Sequence, residues 1–199
     1  MDKQLIISIG REYGSGGHEI SRKLAAKLGL KFYDRNLLDE VADSKNVDAE
    51  NLAKYDETPH KAFFSRTVRG FSNSPSENVA ELQFNYLKKK AQEGESFVVV
   101  GRCSEEIFKG IAPVISIFVT GYYENKVQRV VTLRNKLPKE AEKTIAKHDK
   151  QRRAYHDHFC KGKWGEATCY DLCVNSSVLG IDGTVDFIYD YINRIPKKD

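Results

Sequence analysis

The sequence predicts an α/β fold of three layers, a five-stranded parallel sheet between helices. Short apolar runs alternate with helical patterns along the chain, as βαβ units require. A glycine-rich turn, Gly14-Ser15-Gly16-Gly17, joins the first apolar run directly to the first helical pattern. The chain has 199 residues with 40% hydrophobic content. That suits a single domain over residues 1–199, with room for insertions.

The elements follow in order. Residues 5–9, Leu5-Ile6-Ile7-Ser8-Ile9, form a buried strand. Ile20, Leu24 and Leu28 recur four apart, as one face of a helix does. Residues 32–33 are the second strand. Ser76 is placed to cap a helix whose face is Val79, Leu82, Tyr86 and Leu87, and Gly94 ends it. Residues 97–100, 114–119 and 172–174 are the remaining strands. Asp182 is placed to cap the last helix, with Val185, Ile188, Tyr189 and Ile192 on one face and Pro196 closing it. Two segments exceed a minimal repeat. Residues 36–94 form a polar, mostly helical insertion, whose stretch 58–76 is expected to be a mobile loop. Residues 134–168 are dense in charge and aromatics. A flap on the substrate side and a closing lid are the expected roles.

Composition narrows the function. A net charge of +4 with a pI of about 8.7 is mildly basic and does not indicate nucleic acid. The four cysteines, Cys103, Cys160, Cys169 and Cys173, make no CxxC pair. The N-terminal apolar run is too short for a signal peptide, and no stretch approaches 18 apolar residues. A cytoplasmic protein with reduced thiols and no membrane partner is the simplest account.

Strand, glycine turn and helix together present backbone N–H groups at a helix N-terminus, a cradle for an anion and most often for phosphate. A full P-loop reads G-x-x-x-x-G-K-[ST]. With Gly16 as its second glycine, Arg11 stands at the first, Gly17 replaces the lysine and His18 replaces the hydroxyl residue. Arg11, His18 or a distant arginine is left to supply the lost charge. The plain alternative is a glycine turn that binds nothing. Arg102 directly follows Val98-Val99-Val100-Gly101, at the strand edge where open α/β sheets bind ligands. Asp34 and Arg35 follow the second strand. Asp34 is placed to orient an acceptor, to reach a magnesium ion through water, or to cap a helix near Asn36. Glu19 lies in the first turn of the loop helix, where a carboxylate favours the dipole or assists magnesium. Arg129, Arg134, Arg152 and Arg153 are candidate phosphate ligands, set against a solvated helix face as the alternative. His156, His158 and Cys160 suggest a metal. Their alternation suits a strand better than the helix expected here, and no fourth ligand is evident beyond His148 or Cys169. Trp164 and Tyr155 suit packing better than base stacking.

Five pieces in order carry a resemblance: IISIGREYGSGGHEISRKLAAKLG, FYDRNLL, VVVGRCSEEIF, HDKQRRAYHDHF and WGEATCYDLCVNSS. On these the chain resembles P-loop nucleoside monophosphate kinases, most closely the cytidylate kinase-like family, to about residue 177. The resemblance implies a P-loop NTPase fold with a helical acceptor-side insertion and a lid. It implies that Gly14, Ser15, Gly16, Gly17, His18 and Glu19 surround the phosphates of ATP. Asp34 and Arg35 would lie near the acceptor nucleotide, and Arg102 would hold the acceptor phosphate. Asp149 and Arg153 match the acid and arginine of the lid, with Arg152, Arg129 and Arg134 nearby. Authentic cytidylate kinases carry an acid after the Gly-Arg pair; this chain has Cys103. The missing loop lysine is shared by the cytidylate kinase-like group. The implied activity is transfer from ATP with Mg2+ to a nucleoside monophosphate, CMP or dCMP first. A nucleotide sensor without kinase activity and a kinase for another small molecule are the alternatives.

Overall fold

Alternation along β1 (Ile6–Arg11) sorts its side chains to two sides. Ile7 and Ile9 join one apolar cluster and Ile6 joins another. The same period of two runs through β5 (Phe97–Val100), where Val98 faces the first cluster and Phe97 and Val99 the second. This is how a strand covered on both faces reads. Fully burying such a side chain is worth about 1.5–3 kcal/mol, so the sheet sets the frame for everything attached to it.

The computed structural model describes residues 4–34, 37, 40, 41, 67, 68, 71, 72 and 75–196. Arg35 and most of the expected mobile loop at 58–76 lie outside these residues. The sheet also contains β2 (Lys31–Tyr33), β6 (Val114–Thr120) and β7 (Leu172–Asn175). Its order is β2-β5-β1-β6-β7, and all pairs are parallel. A separate antiparallel pair joins β3 (Thr67–Val68) to β4 (Phe71–Ser72).

Two helices cover the first face. In α1 (Gly17–Leu28), Ile20 and Leu24 are buried against the sheet, and Gly29 ends the helix in a left-handed conformation. In α6 (Ser176–Arg194), Val185, Ile188 and Ile192 are buried beside them. Lys23 and Lys27 of α1 reach Asp182 and Asp186 of α6, each at 2.6 Å. The start of α6 differs from expectation. Asn175 caps it by accepting the Ser177 N–H, and the backbone breaks at Gly180 before the helix resumes. Asp182 spends its carboxylate on Lys23 and not on a cap.

On the second face, α2 (Pro75–Gln92) buries Leu87 and Ala91, and the short α3 (Ser104–Ile107) follows β5. Helix α2 begins at Pro75, so Ser76 lies in its first turn and not at its cap. Leu37 and Val41 are also buried in this cluster. The segment expected to be a lid is mostly helix. After α4 (Tyr123–Arg134), Asn135 takes a left-handed conformation that ends the helix. Helix α5 (Pro138–Phe159) follows, with proline in its first turn. Beyond it, Trp164 packs edge-on against Phe118, and Ala167–Cys169 form a short 3-10 turn. Tyr155 is buried with Ala80, Phe84 and Cys103, so both aromatics serve packing. No helix among the described residues is long and apolar enough to cross a membrane.

Candidate functional site

The strand order opens a crevice. The chain leaves β1 toward β2, two places away on one side, and leaves β5 for β6 on the other side of β1. The connections from these neighbouring strands therefore diverge, as at a topological switch point. A cavity of about 770 Å³ lies there. Arg11, Arg102, Arg129, Arg134, Lys136 and Arg152 line it, against the carboxylates Glu12, Glu19 and Asp34. Such an excess of positive charge in a concave site attracts anions.

The glycine loop forms one wall. Gly14 has φ +83, and a Cβ there would meet the Lys126 carbonyl oxygen at 2.8 Å. Gly16 has φ +78 and is the residue from which α1 starts. A Cβ on Gly16 would stand 3.5 Å from Arg129 Cζ, so the guanidinium lies against the bare backbone of the cradle. Ser15 is buried and does not line the cavity; its hydroxyl donates to the Glu12 carbonyl and accepts the Gly17 N–H at 3.3 Å. A phosphate oxygen would replace or share that long contact. Glu12 accepts hydrogen bonds from Thr120 Oγ1 at 2.6 Å and the buried Lys126 ammonium at 2.8 Å, which brace the loop from behind. Arg129 donates to Glu19 and holds its carboxyl below the ordinary range, against the opposing effect of burial.

Arg102 forms the facing wall. It is 3% exposed and borders the cavity. Gly101, Arg102 and Cys103 have φ of 71, 64 and 51, three left-handed residues in succession. For two side-chain-bearing residues this is strained, at about 1–2 kcal/mol each. Strain held in this way clusters at functional sites. The turn sends Cys103 out of the cavity wall and into the cluster with Ala80, Phe84 and Tyr155. On the rim, His18 Nε2 lies 2.7 Å from Asp34 Oδ2.

Helix α5 supplies a third wall through Thr144, His148 and Arg152, spaced four apart on one face. His148 stacks on Tyr13 with ring centroids 4.4 Å apart and planes 7° apart. Arg152 lies over the same Tyr13 ring and donates to the Arg11 carbonyl. Arg153, one residue on, stands outside the cavity and over the Trp164 ring at 5.2 Å. The reason is the helical turn of about 100° per residue, which cannot direct 152 and 153 to the same side. Asp149 also stands outside the cavity wall. It accepts the Tyr13 N–H at 2.6 Å and so supports the loop, and burial raises its carboxyl despite that bond.

Sequence reasoning missed Tyr13, Thr144 and Lys136 as wall residues, and Lys126 as the brace. The 144/148/152 spacing was a signal for the α5 face. Nothing local marks Lys126, whose partner Glu12 is 114 residues away.

A glycine cradle at a helix N-terminus, facing an arginine across a switch-point crevice in a five-stranded parallel sheet, defines the P-loop kinase fold. The chain belongs to the cytidylate kinase-like family, whose profile matches residues 6–178. It is 35% identical to an uncharacterized protein from Eubacterium ventriosum, covering 96% of this chain and 99% of that one with a TM-score of 0.76. Shikimate kinase from Bacteroides thetaiotaomicron shares the fold at 15% identity and a TM-score of 0.55, with 95% and 98% covered. Shikimate kinase from Acinetobacter baumannii, solved with shikimate, does so at 15% and 0.53, with 98% and 97% covered. No match was found among curated proteins.

Proposed function

We propose that the protein transfers the γ-phosphoryl group of ATP to a small anionic acceptor, CMP or dCMP before others. The observation that carries this reading is the cavity in which the glycine cradle and Arg102 face each other, with four further cationic side chains around them besides Arg11. Phosphoryl transfer asks for in-line placement and charge neutralisation more than for covalent chemistry. The cradle would take the donor phosphates. Arg129, flush against Gly16, would supply the charge that the missing loop lysine normally brings. Arg102 would hold the acceptor anion with its planar fork. Arg152, Arg134 and Lys136 would meet the group in transit.

A magnesium ion fits the hard oxygen donors at this cavity. Glu12 and Glu19 are engaged by Lys126 and Arg129, and Asp34 borders the cavity beside His18. Asp34 would hold the ion through water, and magnesium with ATP supplies the phosphoryl group and part of the charge balance when bound.

A second reading concerns the acceptor. Cys103 lies outside the cavity, so this position offers no contact to a cytosine base. Arg102 accommodates a carboxylate as well as a phosphate. A hydroxy-carboxylate acceptor of the shikimate kind therefore belongs beside the nucleotides. A coupled assay over CMP, dCMP, UMP, AMP, GMP and shikimate distinguishes them. Turnover restricted to CMP and dCMP supports the first reading, and turnover with shikimate alone supports the second. ATP binding without transfer to any acceptor would make the protein a nucleotide sensor.

A further inference from the structure

The face of α5 that lines the cavity continues past it. Four residues beyond Arg152 is His156, and four beyond that is Cys160. The helix thereby separates the three residues that alternate in sequence. His158 turns away to Glu77, at 3.0 Å, while His156 and Cys160 stay together. Helix α3 brings Glu105 to them from the other side.

The donor atoms of Glu105, His156 and Cys160 all lie within 4.8 Å of one another. A tetrahedral zinc with bonds of about 2.0–2.3 Å holds its ligands about 3.3–3.8 Å apart, so small side-chain rotations close the set. His156 Nε2 is 2.9 Å from Glu105 Oε1. The ring is only 7% exposed in its side chain. Its Nδ1 is buried without a hydrogen bond, and Asp157 Oδ1 stands 3.6 Å away. With a cation on Nε2, the proton must reside on Nδ1, and Asp157 is the carboxylate that would orient it, as acids behind metal-bound histidines do. The Cys103 thiol packs in the same cluster as Cys160 but outside this three-donor set, so a tetrahedral ion would complete its shell with water.

We propose that Glu105, His156 and Cys160 form a zinc site, completed by water, that ties the end of α5 to α3, the helix after the turn carrying Arg102. Thiolate and imidazole favour zinc and exclude magnesium or calcium. Zinc binding displaces the Cys160 thiol proton to solvent and needs no oxidant or reductant. The site lies behind the cavity wall and is independent of the nucleotide reading.

The test uses the full chain, stripped with chelator and dialysed against zinc. One zinc per chain is expected. Glu105→Gln, His156→Ala and Cys160→Ser should each weaken binding by at least about 100-fold, whereas His158→Ala and Cys169→Ser should not. Cobalt in place of zinc should give a thiolate-to-metal charge-transfer band that Cys160→Ser abolishes and Cys103→Ala leaves in place. Should a variant fail to fold, the wild type decides. Zinc should protect Cys160 from alkylation, mapped by mass spectrometry, while leaving the exposed Cys173 reactive. No bound zinc, zinc that leaves Cys160 unprotected, or zinc retained equally by folded Glu105→Gln and Cys160→Ser would overturn the proposal.

Discussion

Arg102 combines three properties that seldom coincide: near-complete burial, a left-handed backbone and a place on a ligand cavity. Its position after Val100 and Gly101 was readable in the sequence, but its burial was not, since a strand-end arginine ordinarily reaches water. The difference matters for Arg102→Ala. Losing a charge-assisted bond to the acceptor should cost about 1.5–3 kcal/mol in acceptor binding. ATP affinity, measured by calorimetry, should hardly change, and a lowered melting temperature is expected from the void. Arg102→Lys should recover stability better than acceptor binding, because an ammonium lacks the fork. Equal loss of ATP and acceptor binding would assign the side chain to the wrong subsite. Glu19 makes a pH prediction. Arg129 holds its carboxyl below the ordinary 4.5, so the ionised form favours the folded state. That contribution is present above about pH 4.5 and fades as pH falls through the depressed value. It is modest, since the pair is partly exposed. Denaturant melts should show wild type more stable than Glu19→Gln at pH 7, with the gap closing toward pH 3.

Helix α5 places one of two adjacent arginines on the cavity and the other away from it. Arg152 shares a face with Thr144 and His148, whereas Arg153 rests on Trp164. Arg152→Ala should lower kcat at least about tenfold if it meets developing charge. Arg153→Ala should leave kcat near wild type and lower the melting temperature slightly. The reverse result would mean that the helix rotates before transfer. Residues 135–137, where Asn135 ends α4, join α5 to the rest of the fold. Hydrogen exchange along α5 should slow when donor and acceptor bind together, and equal protection in both states would remove any lid role. The five strands of the sheet, the glycine turn and the existence of this helix were legible, because buried runs and four-residue spacing are local signals, whereas the short pair β3–β4 falls inside the stretch expected to be a mobile loop. Its facing was legible only in part: the 144/148/152 spacing marks one face, but that this face meets the cavity depends on how α5 docks. The cap of α6 was misread for a similar reason. Asp182 has the chemistry of a cap, but Lys23, 159 residues away, takes its carboxylate.

At the scale of the molecule, the modest net charge of +4 conceals its distribution, with six cationic side chains gathered at the carboxyl edge of one sheet. No pass along the chain could show that, since they come from β1, the turn after β5, both α4 and α5 and the connection between them. The same sheet order constrains how the protein comes into being. Strand β1 is the central strand, yet Ile6 pairs with Phe97 and Val114, both made long afterwards. At synthesis rates of about 5–20 residues per second, β1 waits roughly 5–20 s for its second neighbour. Its isoleucines stay accessible to chaperones and to wrong partners throughout. Ribosome-bound nascent chains stalled at increasing lengths should remain protease-sensitive in residues 5–11 until β6 has cleared the exit tunnel, then become resistant in one step. The segment that carries the glycine cradle is thus held open until more than 100 further residues have followed it.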